Sequence, residues 1–277
     1  MRTLKTSEAA GLLNVSASTL RAWEQRFGFP QPRRSPGHHR LYTYGEVSAL
    51  RDALEAGLSI SSAVSVARDT TGWDKHALVS ALSAFEADRA DRAMESSVAL
   101  RTLERSLEDV LLGALEVIRQ RKGLASAAWA FATRWCSDWL LRARRFGAGS
   151  ARRGGLLIGD ASVSPLDPVR PYVLALELCC VRAGIEVLSI PVQASARLDE
   201  AADVVSPDVV VIAGDEAPDD EVARWAYGVR ECAGRVPFVL YRRALDGDSV
   251  PTRRQVLAPS PVNATRELLT ICESRNL

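Results

Sequence analysis

The stretch from Asp74 to Arg145 contains none of the chain's 13 prolines, and this absence divides the sequence into three parts. Within the stretch, apolar residues recur at the three- and four-residue spacing of amphipathic helices. Proline would interrupt such helices, so the stretch can be helical over most of its length. We therefore expect about four helices in a bundle. Before them lies a head with frequent prolines and glycines, and after them strands and helices alternate.

The charge balance restricts where a nucleic acid could bind. The net charge is +1 over 277 residues, so basic side chains must be concentrated locally to form such a site. The N-terminus lacks the apolar core of a secretory signal, and no stretch approaches the roughly 18 uninterrupted apolar residues of a membrane span. The five cysteines show no CxxC spacing and are expected to be free thiols. We expect a cytoplasmic protein with no membrane partner.

Two short helices are predicted near the N-terminus, joined by a tight turn at Asn14-Val15. Thr6 or Ser7 can cap the first helix, and Ser16-Ala17-Ser18 can cap the second. This arrangement predicts a helix-turn-helix, which places the N-terminal end of its second helix in a DNA major groove.

Four side chains of the second helix are candidates for DNA contact. Ser18 and Thr19 carry hydroxyl groups at the end that would enter the groove. Arg21 and Arg26 supply positive charge for phosphates or for guanine edges. Trp23 lies between them and can either contact DNA or belong to the core.

A basic hairpin is predicted after the second helix. Ser35-Pro36-Gly37 can form its turn, and Arg33, Arg34, His39 and Arg40 flank that turn. A basic hairpin beside a helix-turn-helix is a wing, whose side chains lie along the DNA backbone or minor groove. A solvated turn without DNA contact is the alternative for the two arginines before it.

The segments TSEAAGLLNVSASTLRAWEQRFGFPQP and RRSPGHHRLYTYGEV resemble the winged-helix head of the MerR family of transcriptional regulators. The motif WEQRFGFPQPRR…GHHRLY is similar to the CarH/LitR branch, the cobalamin-dependent photoreceptor repressors. The resemblance implies that Arg21, Trp23 and Arg40 contact the DNA backbone and that His39 faces DNA. It implies that Tyr42 packs or makes contacts in the wing, and pure core packing stays open for Trp23 and Tyr42.

Strands and helices alternate from about residue 152 onward. The predicted strands are Gly155–Asp160, Ile185–Ile190, Asp208–Gly214 and Val236–Tyr241, and the predicted helices are Leu166–Ala183, Leu198–Val205 and Asp219–Ala233. The third strand is a continuous β-branched run, which is typical of a central parallel strand. This order predicts a Rossmann-like, doubly wound parallel sheet that binds ligands at the carboxyl ends of its strands.

This end resembles the Rossmann-like B12-binding domain, in which Asp-x-His-x-x-Gly follows the first strand. The matching stretch here begins at Asp160, with Ser162 at the position of the cobalt-binding histidine and Pro165 at that of the glycine. The chain's three histidines all precede residue 77. The resemblance therefore implies the fold without its metal ligand, and we expect neither a metal site nor a cofactor, cobalamin included.

The resemblance also extends to the helical middle. In cobalamin photoreceptors a similar bundle covers the upper face of the cofactor through a Trp, nine residues, then Glu-His. Counting from Trp129 places Trp139 and Leu140 at the last two positions. Trp129 and Trp139 can be core residues of the bundle. Alternatively, they line a pocket for a flat hydrophobic ligand together with Asp160 and Ser162.

Acidic residues near the predicted strand ends raise the question of catalysis. Asp160, Asp215, Glu216, Asp219 and Asp220 could perform acid–base chemistry or hold Mg²⁺. However, acidic residues at the start of a helix are favoured by the helix dipole. The sequence contains no GxSxG, P-loop or HExxH motif, and we expect no enzyme.

The sequence thus predicts a multidomain α and α/β protein. A winged helix-turn-helix head spans residues 1–72, a helical bundle residues 73–150, and a Rossmann-like, B12-binding-like domain residues 151–277. The predicted function is sequence-specific transcriptional regulation at a double-stranded DNA operator, with a C-terminal sensor or oligomerisation half that does not bind cobalamin. We expect a homo-oligomer, a dimer or larger. The alternatives are a repressor that responds to cobalamin, to another small ligand or to light, and a regulator controlled by a protein antirepressor.

Overall fold

The computed structural model describes residues 3–35, 37–145, 151–242 and 255–275. The chain divides into two compact units, Met1–Ala81 with Glu86–Val110, and Leu82–Phe85 with Leu111–Leu277. Helices therefore dominate the N-terminal part, and a parallel-sheet α/β domain forms the C-terminal part. The three-domain boundaries expected from the sequence stay a prediction. No helix in the described ranges has the length and apolar character required to cross a membrane.

The first unit combines a small antiparallel sheet with helices. Its elements are β1 (Thr3–Lys5), α1 (Thr6–Leu12), α2 (Ala17–Phe27), β2 (Arg33–Arg34), β3 (Arg40–Thr43), α3 (Tyr44–Glu55), α4 (Ile60–Thr71), α5 (Trp73–Ser83), α6 (Ala87–Leu100) and α7 (Leu103–Arg105). The strands have the order β1-β3-β2. The sequence did not indicate β1, because a three-residue strand shows no periodicity. Helix α1 begins after Lys5, whose backbone N–H donates to Glu8 Oε2 at 2.7 Å, so neither Thr6 nor Ser7 is its cap.

One core holds the head together. Leu20, Phe29, Tyr42, Val47 and Leu50 are all fully buried in it. They come from α2, from the segment after it, from β3 and from α3. The hairpin is therefore fixed to the second helix by packing, and the apolar faces predicted for these helices are confirmed.

The helical middle contains the four expected helical segments, but they are divided between the units. Helices α5 and α6 belong mainly to the first unit, whereas α8 (Gly113–Lys122) and α9 (Ala127–Arg145) belong to the second. A π-helical stretch, Ser106–Leu112, joins α7 to α8. Helix α9 packs against α8 and along α10 (Arg170–Arg182). A single four-helix bundle stays a prediction.

The second unit contains a five-stranded parallel sheet in the described part of the chain. Its strands are β4 (Gly154–Asp160), β5 (Ile185–Pro191), β6 (Val209–Ala213), β7 (Phe238–Tyr241) and β8 (Gln255–Val256), in the order β5-β4-β6-β7-β8. Its other helices are α11 (Leu198–Val205), α12 (Asp219–Ala233) and α13 (Pro261–Arg275). Helices α10 and α13 cover one face, and α11 and α12 cover the other. The predicted doubly wound parallel sheet is confirmed.

A close contact between a helix and the sheet explains why residue 159 is a glycine. A Cβ atom at Gly159 of β4 would lie 2.7 Å from the ring of Trp225, which is fully buried on α12. No larger residue fits there without moving the indole. Glycine at the end of β4 therefore lets α12 approach the carboxyl ends of the strands.

Candidate nucleic-acid interface

Helix α2 begins at Ala17 because Ser16 caps it. The backbone N–H of Thr19 donates to Ser16 Oγ at 3.0 Å, which satisfies one of the free donors of the first turn. The Ser16 hydroxyl also lies 2.7 Å from Ser18 Oγ and 2.8 Å from Thr19 Oγ1. Ser18 is exposed and Thr19 half-buried. The cap thus places both predicted hydroxyl groups at the start of the helix.

Basic side chains extend from α2 and from the hairpin into solvent. The exposed ones are Arg21, Arg26, Arg33, Arg34 and His39. Arg26 lies over the ring of Phe27, with 5.2 Å between its Cζ atom and the ring centroid. Arg34 Nη1 donates to the carbonyl of His38 at 3.1 Å. Among the described residues none of these arginines forms an ion pair with a carboxylate, so their positive charge is available to a ligand.

The predicted hairpin is formed by β2 and β3, which pair Arg33 with Leu41 and Arg34 with Arg40. Its turn is closed by three hydrogen bonds between Ser35 and the residues His38 and His39. Ser35 N–H donates to His39 O at 2.9 Å, His38 N–H to Ser35 O at 2.8 Å, and His39 N–H to Ser35 Oγ at 3.2 Å. Pro36, expected in the turn, lies outside the described residues. The turn holds the basic side chains on two short, adjacent strands.

Glu24 joins the second helix to the hairpin, and the sequence did not single it out. Arg40 Nε donates to Glu24 Oε2 at 3.1 Å, and the Tyr42 hydroxyl donates to the same oxygen at 3.2 Å. Tyr42 is fully buried, and burial and the nearby Glu24 raise the pKa of its phenol to about 12. The structure therefore places Tyr42 in the core. Trp23 is half-buried and packs against the same core.

A group of buried charged side chains contacts the C-terminal end of α2. Arg68 and Asp74, each 1% exposed, form an ion pair, and Arg101 Nη2 donates to the second oxygen of Asp74 at 2.5 Å. Arg68 Nη1 also donates to the carbonyl of Phe27, the last residue of α2, at 3.4 Å. We call Arg68, Asp74 and Arg101 the buried cluster. It ties the end of α2 to α4, α5 and α6.

The predicted ligand pocket lies in the second unit, where the strand order reverses. Strand β4 is followed by β5 on one side and by β6 on the other, and such a switch point is where doubly wound sheets bind ligands. Here the loops after β4 and β6 are joined to each other. Ala217 N–H donates to Ala161 O at 2.9 Å, and Ser164 N–H donates to Glu216 Oε2 at 2.9 Å. A Cβ atom at Gly214 would lie 2.8 Å from Ser162 N.

Asp160 and Ser162 are brought together at this edge with a residue that the sequence did not indicate, Arg170. Ser162 donates to Asp160 Oδ1 through its backbone N–H at 2.9 Å and through its hydroxyl. Arg170 Nη1 donates to Asp160 Oδ2 at 3.1 Å and to Ser162 Oγ at 3.2 Å. We call these three residues the strand-end cluster. Each of the three side chains is therefore hydrogen-bonded to the other two.

The tryptophans of α9 differ in burial. Trp129 is 2% exposed, and its Nε1 donates to Leu166 O at 3.1 Å, next to the strand-end cluster in sequence. Trp139 is half-buried. Trp129 is therefore a buried residue that is hydrogen-bonded to the loop after β4.

Several acidic residues lie near the strand ends. Asp219 and Asp220 lie in the first turn of α12, as expected for a helix start, and Asp220 pairs with Arg224 at 3.3 Å. Asp167 is buried, and this burial raises the pKa of its carboxyl to about 6. In the described ranges, no three histidine, cysteine or acidic residues come together as a metal-binding group.

The head is similar in sequence to known regulatory proteins. Residues 5–42 match the model of the MerR family regulatory protein. The HTH-type transcriptional repressor CarA of Myxococcus xanthus is 27% identical over 256 residues, which cover 76% of this chain and 86% of CarA. The head therefore resembles that of MerR family regulators. Together with the relatives below, these matches support a DNA-binding transcriptional regulator.

Two further relatives match shorter stretches of this chain. The HTH-type transcriptional repressor CarH of Myxococcus xanthus is 38% identical over 65 residues, or 22% of each chain. The HTH-type transcriptional regulator MlrA of Escherichia coli (strain K12) is 33% identical over 57 residues, or 20% of this chain and 24% of MlrA. A solved structure of the methanol:cobalamin methyltransferase complex MtaBC from Methanosarcina barkeri covers 73% of this chain and 84% of its own, with 10% identity and a TM-score of 0.36.

Proposed function

We propose that this chain is a sequence-specific, cytoplasmic transcriptional regulator whose first unit binds DNA as a winged helix-turn-helix. The observation that carries the proposal is the set of exposed basic side chains on α2 and on the β2–β3 hairpin, which form no ion pair with a described carboxylate. In this arrangement Ser18 and Thr19 face the major groove, and Arg21, Arg33, Arg34, His39 and Arg40 contact the backbone. The name of CarA supports repression as the direction of regulation.

The second unit is proposed to serve self-association and control rather than catalysis. A single head contacts few base pairs, so two heads on repeated half-sites raise specificity. The partner is therefore a second copy of this chain, in a dimer or a larger oligomer. CarA, CarH and MlrA are named regulators, which supports a role without an enzymatic reaction.

The second unit is further proposed to be B12-binding-like in fold but not to hold cobalamin. Its strand order, its match to CarA and the Asp160 motif support the fold. The residues at the switch point do not fit the cofactor. Ser162 stands where a histidine would bind cobalt, and its hydroxyl is engaged by Asp160 and Arg170. The loops after β4 and β6 are also bonded across the crevice.

Control by a small polar ligand is the second candidate, and three buried atoms favour it. Asp167 Oδ2, Thr133 Oγ1 and Trp135 Nε1 are buried without a hydrogen-bond partner among the described residues. Buried polar atoms in folded proteins nearly always have partners, supplied by the protein, by water or by a ligand. A ligand carrying both hydroxyl and carbonyl groups could satisfy such atoms. Control by a protein antirepressor remains the alternative that involves no such ligand.

DNA selection followed by titration tests the proposed function. The full chain is used to enrich duplexes from fragmented genomic DNA, and affinity for the enriched duplex is measured at several salt concentrations. We expect Arg21→Ala and Arg40→Ala each to weaken binding about tenfold or more, because each removes a phosphate contact. Arg224→Ala, which removes an exposed arginine from α12, is the matched control and should bind like wild type. Unchanged affinity in both head variants would refute the assignment.

A further inference from the structure

Glu24 is a carboxylate within the basic surface. It lies on α2 between Arg21 and Arg26, and its side chain is 21% exposed. A negative charge at that place repels DNA phosphates, so charge alone predicts that Glu24 weakens DNA binding. Its contacts indicate a different role.

The contacts of Glu24 involve one particular atom of Arg40. Both hydrogen bonds between the two side chains start from Arg40 Nε, at 3.1 Å to Oε2 and 3.4 Å to Oε1. Neither terminal nitrogen of Arg40 donates to another described residue, and the side chain is 29% exposed. A guanidinium held through Nε keeps both terminal nitrogens free for an anion, and arginine binds phosphate best through two parallel hydrogen bonds.

Tyr42 fixes the position of the carboxylate itself. Its hydroxyl donates to Glu24 Oε2 from a ring that is fully buried in the head. The carboxylate is thus held between a rigid core residue of β3 and the arginine two residues before it in the same strand. Glu24 of α2 is therefore hydrogen-bonded to two residues of β3.

We propose that Glu24 is a positioning residue for DNA binding, which orients Arg40 so that its two terminal nitrogens grip one backbone phosphate. The proposal rests on the proposed function, because it concerns how the head binds DNA. It extends that function by assigning a favourable role to an acidic residue within a basic interface. Loss of Glu24 is therefore expected to weaken DNA binding, whereas charge repulsion alone predicts that its loss strengthens binding.

The test compares Glu24→Ala, Glu24→Gln and Glu55→Ala in the full chain. The probe is the duplex enriched by the wild-type protein. Glu55 is an exposed acid on α3 near Arg51, 3.6 Å away, so its removal changes the net charge by the same amount as Glu24→Ala. We expect Glu24→Ala to lower affinity about tenfold, and Glu24→Gln to lower it less because the amide oxygen still accepts from Arg40. Glu55→Ala should leave affinity unchanged or slightly higher.

Salt dependence separates positioning from a general loss of structure. Each phosphate contact contributes about one unit to the slope of log affinity against log salt concentration. Glu24→Ala should therefore reduce the slope by about one, which is the reduction also expected for Arg40→Ala. In a chain that already carries Arg40→Ala, Glu24→Ala should cause no further loss. Circular dichroism of every variant verifies that the head is folded, and Glu24→Gln carries the test if the alanine variant is unfolded.

The outcomes distinguish this inference from the proposed function. If Glu24→Ala and Glu24→Gln bind DNA as tightly as wild type or more tightly, or if the loss persists in the Arg40→Ala background, the positioning role is wrong although the head binds DNA. If the wild-type protein enriches no duplex at all, the proposed function itself has failed.

Discussion

The basic surface of the head and the strand-end cluster of the second unit use arginine in opposite ways. On α2 and the hairpin, Arg21, Arg33 and Arg34 extend into solvent without a described carboxylate partner. At the switch point, Arg170 is bonded to Asp160 and Ser162. Positive charge that the protein leaves unpaired is available to a ligand, whereas charge that its own side chains satisfy is not. We therefore expect an open DNA site on the head, where the arginines are unpaired, and a closed corrinoid site at the switch point, where the polar groups are bonded to one another.

The largest effect is expected where paired charges are buried. Asp74→Ala would leave Arg68 and Arg101 of the buried cluster without their shared carboxylate. Removing one partner of a buried ion pair typically costs about 3–5 kcal/mol. We expect a loss of that size in the free energy of unfolding of the full chain, measured by denaturant titration. Asp52→Ala, at an exposed pair with Arg51, should cost about 0–1 kcal/mol. Equal losses in the two variants would contradict this account of the buried cluster.

Removing unpaired arginines should affect DNA binding more than removing a paired one. The double variant Arg33→Ala/Arg34→Ala is expected to lose about two units of salt slope and to bind the selected duplex at least tenfold more weakly, with stability unchanged. Arg170→Ala removes one arginine from the strand-end cluster and should leave the salt slope as in wild type. DNA titrations at several salt concentrations measure both. A lower slope in the Arg170 variant would remove the distinction between the two regions.

The smallest effect concerns Asp167, which precedes α10. Burial raises the pKa of its carboxyl to about 6. The folded protein therefore binds a proton at this carboxyl more tightly than the unfolded chain does. Its contribution to stability is therefore greatest at low pH and declines as the pH rises through about 6. Asp167→Asn should raise the free energy of unfolding by about 1–3 kcal/mol at pH 7, and this gain should vanish near pH 4. An equal gain at both pH values would show that titration is not the cause.

Regular elements could be predicted from the sequence where the pattern is local. The bounds of α11 and α12 agree with those predicted, because each helix has a clear apolar face and acidic residues in its first turn. Helix α10 begins at Arg170 rather than Leu166, since the Asp167 side chain accepts from Val169 N–H at 2.7 Å and holds a turn there. Strand β8 and helix α13 were not predicted.

The candidate sites were predictable only in part. The exposed arginines of the head follow from the pattern of two capped helices and a basic hairpin. The roles of Glu24 and Arg170 depend on contacts that form after folding, with Arg40 lying 16 residues from Glu24. A single carboxylate between two arginines was the only local signal for Glu24. Tyr42 illustrates the same limit, because its burial depends on how β3 packs against α2 and α3.

The most direct test of an open DNA site and a closed corrinoid site is one titration of the selected duplex, performed with and without adenosylcobalamin in the dark and then in the light. The visible spectrum of the desalted protein is recorded alongside. We expect equal DNA affinity in all conditions and no corrin absorbance in the desalted protein. Retained corrin absorbance, together with a DNA affinity that changes with cofactor or light, would contradict it.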